Sequence, residues 1–193
     1  MEIIQKATTN FWAGRKGYGP IAFVIHIMEG SLSGTDAWFA NPASQVSSHF
    51  GIGKAGEVHQ YVKIEDSAWH AGVVKNPTWK LIKKSLLGAT INPNYYTIGI
   101  ECEGRAGDVW HEEQMASICE VIKQFRGDII ISRDTVVSHN EIASYKEDMS
   151  LWIEEILKRI NGAKAETPLE SKIAEAIRLI SQALETLKGV AIA

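Results

Sequence analysis

The chain has 193 residues, 45% of them apolar, and 20 Lys+Arg stand against 23 Asp+Glu for a formal charge of -3. That length holds one well-filled core with a small appendage but not two full-sized enzyme domains, so any catalytic site is shared between elements of one unit. The balanced charge excludes the broad positive field of a nucleic-acid binder.

The N-terminus, Met1-Glu2-Ile3-Ile4-Gln5-Lys6, has neither the basic start nor the apolar stretch of a secretory signal. Together with a longest apolar run of only Ile21 to Ile25, this predicts synthesis in the cytoplasm and no stable membrane insertion. Residues 7–20 carry Asn10, Gly14, Gly17, Gly19 and Pro20 and read as an extended surface segment. The apolar, β-rich run from Ala22 to Met28 predicts a central strand covered on both faces, with His26 near its carboxyl end. A short helix is expected over Thr35 to Phe39, ending before Asn41-Pro42.

Two further runs, Ser47 to Gly53 and Glu57 to Val62, flank Lys54-Ala55-Gly56 and predict a hairpin in which Gly56 takes a positive φ. Residues 71–94 hold four Lys and two Pro and read as a long surface excursion, with a helix around Trp79 to Leu87. Order returns at Tyr96 to Glu103, where Ile98, Ile100 and Cys102 point one way and Gly99, Glu101 and Glu103 the other. An amphipathic helix is predicted from His111 to Phe125, a strand at Thr135 to Val137 running into Ser138-His139, and a helix from Ser150 to Ile160. Interleaved strands and helices with one hairpin make the main domain, residues 1–161, a mixed α/β fold with a central mixed sheet flanked by helices. Residues 162–168 read as a linker, and residues 169–189 as an amphipathic helix suited to folding back or to self-association. Cys102 and Cys119 read as reduced, buried side chains.

Of the six histidines, His59 and His111 take an ordinary structural reading. His26 lies on an otherwise apolar strand, where an imidazole needs a hydrogen bond or a metal to offset burial. His139 directly follows a valine-rich strand, and Asp148 lies across a turn from it. Two imidazoles and a carboxylate leave a tetrahedral Zn²⁺ an open fourth position, as a catalytic site requires. Separate structural roles for the three residues are the alternative.

Five segments in order are similar to the successive motifs of the type 2 N-acetylmuramoyl-L-alanine amidases, which share the peptidoglycan-recognition-protein fold. They are Phe23-Val24-Ile25-His26, the hairpin from Ser47-Ser48-His49-Phe50 to Val58-His59-Gln60, Ala68-Trp69-His70-Ala71-Gly72, Ile98-Gly99-Ile100-Glu101, and Ser138-His139-Asn140-Glu141-Ile142 with Lys146-Glu147-Asp148. The resemblance covers roughly residues 9–157. It implies zinc ligation by His26, His139 and Asp148, action of Glu101 on the attacking water, and stabilisation of the reacting carbonyl by Lys146.

The implied substrate is peptidoglycan, cut at the amide between N-acetylmuramic acid and L-alanine. The expected setting is an endolysin that reaches the wall after membrane breach. A cytosolic muropeptide-recycling amidase and a noncatalytic peptidoglycan-binding protein are the alternatives. His49, Trp69 and His70 are candidates for the substrate groove, and Trp38, Trp69 and Trp79 each read either as a flat surface for sugars or as a core anchor. Where the family has Pro-Gly after the last ligand this chain has Met149-Ser150, and the turn from His139 to Lys146 is about one residue shorter than in many relatives.

Overall fold

A continuous apolar run from Ala22 to Ile25 and the alternation of Ile98, Ile100 and Cys102 set the architecture, because they supply central strands with faces to bury. The computed structural model describes residues 1–162. The linker after Gly162 and the helix expected over 169–189, with its self-association, lie outside the described residues. The strands are β1 (Ile4–Gln5), β2 (Phe11–Trp12), β3 (Ala22–Ile27), β4 (Phe50–Ile52), β5 (Val58–Gln60), β6 (Ser67–Ala68), β7 (Thr97–Cys102) and β8 (Val136–Ser138). The helices are α1 (Leu32–Ala40), α2 (Glu112–Phe125) and α3 (Ser150–Ile160). Six strands form one sheet in the order β1-β5-β4-β7-β3-β8, and β2 pairs separately with β6. Within the large sheet β4 and β5 are antiparallel and the other neighbours parallel, so the sheet is mixed as the sequence predicts.

One face carries Phe23, Ile25, Ile98 and Ile100, packed against Met115, Ile118 and Ile122 of α2 and Ile153 and Ile156 of α3. The helical residues recur at intervals of three and four, which puts them on one stripe. The other face begins with Ala22, Val24, Tyr96 and Val137. Two residues further along β3 and β7 it presents His26 and Glu101, paired in register. Gly56 closes the β4–β5 hairpin at φ +88.

Two expectations need correction. No helix forms over Trp79 to Leu87; the segment runs through turns closed by Ile91 N–H to Lys83 O and Ser85 N–H to Ala89 O. Leu86 and Leu87 are fully exposed, so a helix here would find no apolar surface to cover its stripe. Trp79 is instead a core anchor, stacked on Tyr96 and donating its indole N–H to Asp134 O at 2.8 Å. The segment 7–20 is extended, but not all of it is surface, because Asn10 and Arg15 are buried. Asn10 Nδ2 donates to the carbonyls of Asn41 and Val46, and Arg15 Nη1 to that of Thr97 at 3.0 Å, so both satisfy buried backbone acceptors. Cys102 and Cys119 are free and buried. Among the described residues no helix is long and apolar enough to cross a membrane.

Candidate active site

The polar end of the second face is a cluster of buried imidazoles. His26, His70 and His139 are 4%, 6% and 7% exposed and His49 is fully enclosed, so their charged forms are all disfavoured. Close approach of the rings depends on Gly99, which pairs with Val24 across β3 and β7. A Cβ there would lie 2.6 Å from His70 Cγ and 2.7 Å from Ser48 Oγ, so only glycine lets the His70 ring rest on the sheet beside His26.

The hydrogen bonds fix which nitrogen carries each proton. Thr97 Oγ1 donates to Pro93 O at 2.8 Å and therefore accepts from His70 Nε2 at 3.1 Å. His70 Nδ1 is then the acceptor for His26 Nε2, 3.1 Å away. His139 Nε2 meets Ala71 O at 3.0 Å, and a carbonyl can only accept. In both His26 and His139 this leaves Nδ1 as the lone-pair nitrogen, the form a metal binds. The two rings stand edge to face, 4.3 Å between centroids. Burial, then the neighbouring imidazoles, holds His26 well below the ordinary histidine range. Burial pushes His139 down to about 4.

Glu101 lies beside them, Oε1 3.8 Å from His26 Nδ1. Burial pushes its carboxyl up to about 8, against the pull of Lys146. A cavity of about 440 Å³ opens over this group, lined by His26, His139, Glu101, Lys146, Glu147 and Trp38 among others. Thus the structure brings together His26, His139, Glu101 and Lys146 from β3, the segment after β8, β7 and the following loop.

Asp148 does not join them. Its carboxylate is exposed and accepts from Ser150 N–H at 2.9 Å and from the Ser150 hydroxyl, so it serves the first turn of α3. Ser138 Oγ bridges Glu147 O and Met149 N–H at 3.2 and 2.9 Å, which holds the loop in this register. Among the described residues no three His, Cys, Asp or Glu side chains are arranged to hold a metal. The two imidazoles suit a divalent cation in proton state and orientation, and the third donor is the part that does not fit in this conformation.

The groove candidates separate in the same way. Trp69 lines the cavity, as does an edge of His70, but both His70 nitrogens are engaged by protein. His49 lies beneath, its Nδ1 accepting from Gly99 N–H at 3.0 Å and its Nε2 2.8 Å from Arg15 Nη2. Burial and then Arg15 push it down to about 3; with Nδ1 accepting, its proton sits on Nε2, 3.3 Å from Asp66 O, so it supports the floor rather than meeting a ligand. Arg15 was the residue the sequence hid, for its partners are backbone carbonyls of Ile64 and of residues 94–97, far along the chain. His59 takes its ordinary role, 2.8 Å from Asp36 Oδ1, which also accepts from Tyr61.

Residues 17–150 match the family described as N-acetylmuramoyl-L-alanine amidase, and the chain belongs to that family. It is 42% identical over 88 residues to N-acetylmuramoyl-L-alanine amidase A of Achromobacter lyticus, a match covering 45% of this chain and 39% of that protein. A mutant endolysin from Bacillus subtilis shares the fold at a TM-score of 0.58 and 21% identity, over 83% of this chain and 99% of that one. So does the amidase AmiD from E. coli, solved with anhydro-N-acetylmuramic acid-L-Ala-D-gamma-Glu-L-Lys, at 0.57 and 23%, over 71% and 57% of the two chains.

Proposed function

We propose that this protein hydrolyses the amide between N-acetylmuramic acid and L-alanine in peptidoglycan, with Zn²⁺ as cofactor, and that it works as an endolysin. The observation that carries this reading is the pair of neutral imidazoles, His26 and His139, each with Nδ1 unprotonated, beside Glu101 and Lys146 in one open cavity. Family membership and the substrate named for the E. coli relative support the bond assignment. The endolysin role draws on the likeness to the Bacillus subtilis protein.

His26 and His139 would hold the cation, with Asp148 as the third donor once it leaves Ser150. When bound, the cation supplies Lewis acidity toward water and the amide carbonyl. Glu101 takes a proton from the attacking water and later delivers it to the departing amine. Its desolvated carboxyl holds a proton more firmly than an exposed one, which suits the delivery step. The Lys146 ammonium, on the cavity wall, stabilises negative charge growing on the carbonyl oxygen. Water oxygen bonds to the carbonyl carbon, the C–N bond breaks, and the products are a muramic acid carboxylate and a free L-alanine amine.

Mass analysis of purified wall after incubation with zinc-loaded protein tests the bond assignment. Released stem peptides with free L-alanine termini are expected, and binding without release would sink the enzymatic reading. Faster cleavage of intact sacculi than of soluble anhydromuropeptides is expected of an endolysin, and the reverse preference points to recycling. Titration with zinc locates the third donor. Asp148→Ala should weaken binding more than tenfold, as loss of a direct ligand does at least as strongly as loss of an outer partner, while Glu147→Ala should have a smaller effect. The opposite ranking moves the ligand one residue, to the side chain that already lines the cavity.

A further inference from the structure

A second cavity of about 460 Å³ adjoins the first and shares Val46, Trp69, His70, His139 and Lys146 with it. Its outer part is lined by Trp12 with Gln45 and Asn92, above the buried Asn94, and contains no carboxylate. Trp12 keeps 38% exposure although its ring is fixed from two sides, 5.4 Å from Trp69 and 5.3 Å from Tyr95 between centroids. Pairing of β2 with β6 sets Trp12 against Ser67 and so places it beside Trp69, just past the end of β6. A tryptophan that served only to anchor the N-terminal segment would gain most by full burial.

We propose that this second cavity is a saccharide subsite, in which the glycan next to the muramic acid being cut stacks on Trp12. The inference rests on the amidase reading for the identity of the polymer, but its geometry is independent of the chemistry. A pyranose ring is apolar on its C–H face and polar at its hydroxyl and acetamide edge. The flat indole and the rim amides match those two requirements, whereas the anionic stem peptide would call for cationic partners that the outer part lacks. Continuity through Trp69 and Lys146 puts a sugar here within one polymer unit's reach of the reaction cavity.

Calorimetric titration with stem-free glycan strands tests the subsite, alongside kcat/KM on glycan-linked and on single-sugar muropeptides. Trp12→Ala should weaken glycan binding about tenfold, the scale of one stacked ring, and lower the ratio of kcat/KM between the two substrates by a similar factor. Trp12→Leu, which fills the space without a flat face, should behave like Trp12→Ala, and Trp12→Tyr should recover most of the affinity. Equal glycan affinity in wild type and Trp12→Leu, or equal losses on both substrates, would overturn the subsite. If the wild type binds glycan through Trp12 but releases no stem peptide, the subsite stands and the amidase reading falls. If it cleaves normally and Trp12→Leu changes neither ratio nor affinity, the reverse holds.

Discussion

The two faces of β3 and β7 are made from alternate residues of the same strands, yet they are stabilised in different ways. Under α2 and α3, Phe23, Ile25, Ile98 and Ile100 need only shape and apolar area, and a neighbour of similar volume would serve almost as well. Opposite them, His26, Glu101, His70 and His49 need particular nitrogens and protons in particular places, and a substitution of similar volume would not restore them. The comparison teaches that this fold concentrates its stability on one side of a sheet and its unfavourable burial on the other. A functional site built from desolvated titratable groups costs stability that the apolar side must offset.

Removal of the central carboxylate should break the comparison most sharply. Glu101→Gln should lower turnover roughly 10²–10⁴-fold while zinc stoichiometry holds; loss of metal would make Glu101 a ligand instead. On the other face, Ile100→Ala should destabilise the protein by about 2–5 kcal/mol in denaturant titration, with the metal stoichiometry of the folded fraction unchanged. A large activity loss in fully folded Ile100→Ala would show that the two faces are not separable.

Acid and base should act strongly on the site face in metal-free protein. Its four buried histidines have folded pKa values below the unfolded value near 6.5, so the unfolded state binds more protons as pH falls. The stability they support is complete above about pH 6.5 and is lost below it, by up to about 1.4 kcal/mol per pH unit for each group. Glu101 has the opposite sign, because its folded pKa of about 8 is raised and the folded state binds the extra proton. Stability should therefore also decline as pH rises from the ordinary carboxylate range toward 8. Denaturation curves across pH should show an optimum between the two limbs, and Glu101→Gln should flatten only the alkaline one. Gly99→Ala should have a smaller, more local effect. Its Cβ would push His70 from beneath His26 and lower zinc affinity by about 10–100-fold, as loss of an outer hydrogen-bond partner does. Unchanged affinity would remove His70 from the support of His26.

Much of this was legible in the residues. The strand carrying His26, the strand carrying Glu101 and the helix from Ser150 to Ile160 all occur where periodicity places them, since each buries a face whose pattern is local. Trp79 was harder, because a tryptophan among lysines is equally consistent with either side of a surface segment until Tyr96 and Asp134 are placed around it. His70 read as a groove residue because its motif lies between Trp69 and Gly72. Its burial depends on the missing side chain at Gly99, 29 residues away in the chain.

By itself the sequence determined a mixed α/β fold, the strands that end in His26 and Glu101, and the residue types available for hydrolysis, because these follow from local alternation and from chemistry each side chain carries wherever it sits. Tertiary structure alone decided which imidazole nitrogen is free, that Arg15 and His49 lie under the site, that Asp148 serves a helix start, and that Trp12 faces a cavity. Those outcomes depend on hydrogen-bond partners and ring contacts supplied by distant segments, and no spacing along one chain encodes which of them will meet.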